Sequence, residues 1–237
     1  MHRVTFGITT FDRPQCLKKL VASIREFYPE VPILIADNGK RGKPIQDCNT
    51  IRGQLPFDVG PAACRNWLMR VAKTEYVLIL DDDFVFQAET KIECLVEILD
   101  AFPHVGAVGG ALDDIVRNPQ VTSAMDIDGL TIVNPKSPEK MLPSGVRYQY
   151  CDYVRLFVLL RKRIIETTPW DRTIKIGGEH FMFFYELLRK GVWRVTWTPD
   201  VIIRHEMFQG TSEYKRFRAR GSHFEQEAMQ RMKSQRN

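Results

Sequence analysis

The stretch Tyr76-Val77-Leu78-Ile79-Leu80-Asp81-Asp82-Asp83 is five residues of unbroken apolar character ending on three carboxylates. A continuous apolar run this short reads as a strand covered on both faces, the central position of a parallel sheet. Three adjacent carboxylates at the end of such a strand are electrostatically awkward. Crowded like charges raise one another's pKa unless a cation neutralises them. Oxygen ligation suits a hard divalent ion, Mg2+ or Mn2+, which keeps coordination positions open for substrate phosphates. The plainer alternative is an acidic loop that caps the following helix.

Upstream of this run, Val4 to Thr9 reads as a buried strand. It gives way at Thr10-Phe11-Asp12-Arg13-Pro14 to a turn suited to a helix start. From Gln15 to Tyr28, Leu17, Leu20, Val21 and Ile24 share one helical face, and Pro29 closes the segment. Val31 to Ala36 is a second strand, ending at the polar turn Asp37-Asn38-Gly39. Strand, helix and strand in so short a span form the βαβ unit of a parallel sheet. After a polar loop, Gly60-Pro61-Ala62-Ala63-Cys64-Arg65-Asn66 opens a further helix. Downstream, a helix is predicted from Glu89 to Phe102 and a strand from Val105 to Leu112. Residues 113–149 are rich in Pro, Gly and Asp without periodicity, and a loop that long is usually functional or mobile. Cys151 to Leu160 reads as a strand, Glu179 to Lys190 as a helix, and Trp193 to Thr198 with Val201 to Arg204 as closing strands.

The 237 residues, 44% of them hydrophobic, suffice for one large domain, and neither a linker nor an internal repeat is visible. No apolar stretch approaches the roughly 20 residues that span a bilayer. The first residues enter a strand pattern without a signal-peptide layout. Five scattered cysteines, with no C-x-x-C pair, support neither a zinc site nor a disulfide framework; the expectation is reduced thiols in a cytoplasmic protein. The net charge of +5 is unevenly placed. Between residues 214 and 237 lie Lys215, Arg216, Arg218, Arg220, Arg231, Lys233 and Arg236. Such a tail can meet anionic lipid, nucleic acid or an acidic glycan, or simply be a solvated helix.

In open parallel sheets, ligands bind beyond the carboxyl ends of the strands. Three such ends here carry polar residues: Thr9 to Arg13, Asp37-Asn38, and Asp81 to Asp83. In this order, T-T-F-x-R-P, a strand ending at Asp37, G-P-A-A-C-R-N and V-L-I-L-D-D-D-F-V-F resemble the nucleotide-binding half of GT-A glycosyltransferases. The resemblance is to the inverting family-2 type, and within it to the ganglioside-forming β-1,4-N-acetylgalactosaminyltransferases. It implies an α/β GT-A fold with a mostly parallel central sheet over residues 1–213. Residues 1–112 would form the nucleotide-binding half, 113–213 the acceptor-binding half, and 214–237 a basic tail able to touch a membrane surface.

The resemblance also implies roles. Thr10, Phe11 and Arg13 would line the nucleotide pocket, and Asp37 would accept a hydrogen bond from uracil or ribose. Arg65 would approach the diphosphate. Asp81 and Asp82 would contact the nucleotide sugar, and Asp83, Asp81 and His205 would hold Mn2+ or Mg2+. Gly177-Gly178-Glu179-His180 opens a helix in the pattern that supplies the family's catalytic base, with His180 and Met182 replacing the usual second and third acids. An inverting transfer needs a base for the acceptor hydroxyl, Glu179 first and His180 second. The expected partners are a UDP-sugar donor and a glycan or glycolipid acceptor, with no nucleic acid. The bland alternatives stay open: Arg65 as a surface ion pair, Asp37 closing a turn, Glu179 as a helix N-terminal charge, His205 as a structural histidine. Two rival functions do as well, a metal-dependent nucleotidyltransferase and a non-catalytic protein binding nucleotide or glycan.

Overall fold

The structure, a computed structural model, describes residues 1–40, 45, 47–113, 124–129, 131–206, 211–221, 226 and 230. Thirteen strands and six helices follow in chain order among these residues. They are β1 (Val4–Thr10), α1 (Pro14–Phe27), β2 (Ile33–Asp37), β3 (Thr50–Gln54), α2 (Pro61–Val71), β4 (Tyr76–Asp81) and β5 (Phe84–Val85). Then come α3 (Ile92–Ala101), β6 (Val105–Leu112), β7 (Ala124–Asp128), β8 (Thr131–Val133), β9 (Glu139–Met141) and β10 (Arg147–Cys151). The chain closes with β11 (Tyr153–Val154), β12 (Phe157–Arg161), α4 (Ile164–Thr167), α5 (Glu179–Lys190), β13 (Arg194–His205) and α6 (Ser212–Arg218).

The main sheet runs β3-β2-β1-β4-β12-β6-β13-β10-β9, with β5 paired to the end of β13. β1 to β4 are parallel. β12 inserts antiparallel between β4 and β6, so β6 and its parallel partner β13 run in the same direction as β4. This is the mostly parallel α/β architecture expected. Alternation along the central strands divides the core in two. Phe6, Ile8, Leu78 and Leu80 pack under the Leu17, Leu20 and Ile24 face of α1 and against α3. Val77 and Ile79 face the other way, toward Leu68 of α2 and Phe183 and Phe184 of α5. Each such side chain, fully buried, contributes roughly 1.5–3 kcal/mol relative to exposure.

Three elements depart from expectation. The polar loop after Asp37 contains β3, a half-exposed edge strand too polar to announce itself by apolar alternation. The stretch from residue 113 to 149 is not one long loop: β7, β8 and β9 form within it, and β7 pairs with both β8 and β11. Residues 114–123 of that stretch lie outside the described residues. The two closing strands are a single one, β13, whose pairing with β6 shifts register between Trp197 and Ile202. Of the basic tail, Arg231, Lys233 and Arg236 lie outside the described residues. Its first part, α6, packs over the end of β1 and not away from the domain: Phe217 meets Phe11 and Phe57 at 5.2 and 5.5 Å. Among the described residues no helix is long and apolar enough to cross a membrane.

Candidate active site

The register of the sheet assembles the site. Thr9 pairs with Asp81 across β1 and β4, and Thr10 with Asp37 across β1 and β2, so the polar strand ends share one edge. On the far side, His205 at the end of β13 pairs with Phe84. That pairing carries the imidazole to within 3.8 Å of the Asp83 carboxylate. These ends form the floor of a cleft of about 390 Å3. Gly177, Gly178 and Glu179 wall it on one side; Phe11, Tyr214 and Phe217 wall it on another.

β4 ends at Asp81, and the turn that follows it sets the three aspartates in different surroundings. Asp81 and Asp83 line the cleft. Asp82 is wholly buried beneath it, where it accepts a hydrogen bond of 2.6 Å from the Thr10 hydroxyl and pairs with Arg13. Asp82, expected beside the nucleotide sugar, is not among the residues that line the cleft. Burial pushes its carboxyl up to about 7, against the pull of Arg13 and the Thr10 hydroxyl. Arg13 also donates to Asp83 Oδ2 at 2.8 Å and lies 4.9 Å from the Tyr214 ring centroid. Burial opposes its charge, and the two aspartates outweigh that, so the guanidinium is held more firmly protonated than usual. Asp81 accepts from the Thr9 hydroxyl at 3.2 Å. Desolvation holds it above the ordinary carboxylate range, with Arg65 pulling it down and Asp83 pushing it up.

Arg65 is 2% exposed and faces two acids at once. Its Nη1 donates to Glu179 Oε1 at 3.0 Å, and its Nη2 stands 3.7 Å from Asp81 Oδ1. It is thus neither a surface ion pair nor solely a phosphate ligand. It joins the floor of the cleft to the helix opposite. Glu179 begins α5 because Gly178, at φ 78°, turns the chain into the helix in a conformation that favours glycine. His180 also lines the cleft, with one ring nitrogen already engaged. Its Nε2 lies 2.8 Å from the Val154 carbonyl, which fixes the proton on that nitrogen, and burial with Arg65 nearby pushes its pKa down to about 3. A ring that stays neutral at any working pH is a weak base.

This carries a stability signature. In the unfolded chain an imidazole titrates near about 6.5, so the unfolded state binds a proton that the folded state refuses. Stability is therefore lost as pH falls from about 6.5 toward 3. Denaturant unfolding of His180→Phe against the parent should show a difference that shrinks with acidity across this window. A gap independent of pH would contradict the neutral, buried assignment.

Asp37 is not brought into the cleft. It is 3% exposed, accepts from the Gly39 amide at 2.8 Å and pairs with Arg52 of β3. It borders a separate cavity of about 1020 Å3 flanked by Arg25, Asp47 and Arg52. Asn38 lines the cleft in its place. The cleft also takes in Asp58, Leu156 and Lys175, which no sequence motif singled out. Among the described residues no three His, Cys, Asp or Glu side chains stand grouped to hold a metal. By chemistry the set Asp81, Asp83 and His205 fits a divalent ion that accepts oxygen and imidazole donors, and all three line one cavity.

Comparison with known proteins gives the chain its family and its fold. The model of the family described as Glycosyl transferase family 2 matches residues 5–168. The chain is 44% identical over 112 residues to mouse (Mus musculus) beta-1,4 N-acetylgalactosaminyltransferase 1, an alignment covering 47% of this chain and 21% of that protein. It is 40% identical over 109 residues to mouse beta-1,4 N-acetylgalactosaminyltransferase 2, with 46% and 21% covered. The chain thus matches about a fifth of the length of these relatives. Among solved structures, S. aureus TarS 1-349 superposes with TM-score 0.60 at 16% identity, over 86% of this chain and 60% of that one. GalNAc-T7 with UDP, GalNAc and Mn2+ superposes with TM-score 0.64 at 12% identity, over 88% and 44%. At such identities the superpositions speak for the fold, the GT-A fold.

Proposed function

The chain belongs to glycosyl transferase family 2, and from that premise we propose that its cleft transfers a sugar from a UDP-sugar to a hydroxyl of a glycan or glycolipid, with inversion at the anomeric carbon. The observation that carries this reading is Arg65 bridging Asp81 and Glu179. One guanidinium thereby holds an acid of the floor and an acid of α5 in the same cleft, a donor-binding group and a candidate base for the acceptor.

In this reading the nucleotide lies along the ends of β1 and β4, against Phe11 and Thr10, with Asp81 toward the ribose. Asp81, Asp83 and His205 would hold Mn2+ or Mg2+, which supplies positive charge to the departing diphosphate. Arg13 pairs with both Asp82 and Asp83, and its single positive charge offsets part of the negative charge of the triplet. Glu179 takes the proton of the acceptor hydroxyl as its oxygen attacks the anomeric carbon and the bond to the UDP oxygen breaks. The N-acetylgalactosaminyltransferases among the relatives and the UDP, GalNAc and Mn2+ named with a structural neighbour put UDP-N-acetylgalactosamine first among donors to try.

The test is UDP release from a panel of UDP-sugars in the presence of Mn2+, for the parent and Asp83→Ala. The expected result is turnover with one UDP-sugar and a loss of about 10²-fold or more in the variant. Turnover unchanged in Asp83→Ala would overturn the role given to the cleft floor.

A further inference from the structure

We propose that Asn66 is a positioning residue for the transfer: its side chain latches the loop that carries Glu179 to α2, and through it fixes the carboxylate in the cleft. This rests on the reading of Glu179 as base.

Asn66 is 1% exposed and uses both ends of its amide on one residue 104 positions away. Its Nδ2 donates to the Trp170 carbonyl at 2.8 Å, and its Oδ1 accepts from the Trp170 amide at 3.0 Å. A side-chain amide paired with both backbone groups of one residue fixes that residue in position and orientation, as a second strand would. Trp170 in turn lies flat on Phe183, ring centroids 4.0 Å apart and planes 9° from parallel. Phe183 stands one turn beyond Glu179 on α5, on the same helical face. From Asn66 a continuous packed path therefore leads to the helix whose first residue is Glu179.

Two neighbours on the same element reinforce it. Arg65, the preceding residue, holds Glu179 directly. Gly60, which precedes the first turn of α2, abuts the loop so closely that a β-carbon there would lie 2.5 Å from the Lys175 carbonyl oxygen. Asn66, Gly60 and Arg65 thus meet the segment leading into α5 at Trp170, Lys175 and Glu179 in turn. In the proposed reading α2 flanks the donor, so the latch sets the base relative to it. Misplacement of a reacting group by about 1 Å can cost about 10²-fold in rate.

The experiment compares Asn66→Ala and Asn66→Asp, alone and combined with Glu179→Gln, in the full chain. Asn66→Asp keeps an acceptor for the Trp170 amide and removes the donor to its carbonyl. The expected result is a fall in kcat of about 10²-fold with UDP affinity and donor KM unchanged, and no further fall when either change is added to Glu179→Gln. An equal fall in both backgrounds would overturn the proposal, because the effect would not act through Glu179. So would normal kcat in a folded Asn66 variant, and so would failure of both Asn66 variants to fold, which would make the residue part of the scaffold only. If Glu179→Gln alone retains full transfer, the base reading itself fails, and that outcome is visible without any Asn66 variant.

Discussion

Glu179→Gln lowers the rate of sugar transfer by about 10²–10⁴-fold while leaving UDP affinity in place. Glutamine preserves the volume of the side chain and an oxygen for the Arg65 guanidinium, now 3.0 Å from Glu179 Oε1. It cannot take a proton. The acceptor oxygen must then attack as a neutral hydroxyl, and the whole loss falls on the chemical step. Alanine is the less informative change, because it strips Arg65, 2% exposed, of one of its two carboxylates and adds a structural cost. Steady-state kinetics with saturating donor, set beside calorimetric titration of UDP, separate the two effects. Full activity in Glu179→Gln would move the proton elsewhere and turn attention to His180, which lines the same cleft with its Nε2 engaged by the Val154 carbonyl.

The second large effect is on stability. Above about pH 7, where Asp82 is ionised, Arg13→Met leaves this fully buried carboxylate without its counter-charge, and breaking a buried pair in this way typically costs about 3–5 kcal/mol. The sign with pH follows from linkage. Asp82 in the folded protein titrates at about 7, above the roughly 3.9 of an unfolded aspartate. Between these values the folded state binds the extra proton, so this group's contribution to stability declines as pH rises through the window. Arg13 pulls the folded value down, so its removal extends the window upward. Denaturant unfolding should therefore show the parent–variant gap widening from mildly acid to alkaline pH. A gap that is constant with pH would mean that Asp82 is already protonated in the parent.

Much of this site is readable in the sequence because its residues sit at strand ends. The apolar run from Tyr76 to Leu80 by itself puts Asp81 to Asp83 at the end of a central strand, and G-P-A-A-C-R-N and G-G-E-H put Arg65 and Glu179 at helix starts. All of these except Asp82 reach the cleft. Asp82 was not legible, because it lies in the turn beyond β4 and its burial is set by the distant partners Thr10 and Arg13. Asp37 has surroundings that its own segment does not reveal. Its partner Arg52 lies on an edge strand, T-I-R-G-Q, with no apolar alternation to reveal it, so nothing local shows that the carboxylate is already taken. The first part of the tail also packs where its charge does not announce it. Its arginines suggest solvent or a membrane surface, yet Tyr214 and Phe217 line the cleft, and Arg220 holds Asp58 with both carboxylate oxygens at 2.7 and 2.9 Å. A contact between residues 162 positions apart is set by tertiary packing and leaves no periodic trace. The latch between Asn66 and Trp170 is of this kind.

The most direct test of the proposed site is a crystal structure of the protein with UDP and Mn2+. It is expected to show the nucleotide in the cleft against Phe11, with the diphosphate beside Asp83 and His205 and Glu179 free on the opposite wall. Nucleotide bound instead in the cavity beside Asp37 and Arg52, with the cleft at Asp81 empty, would contradict it.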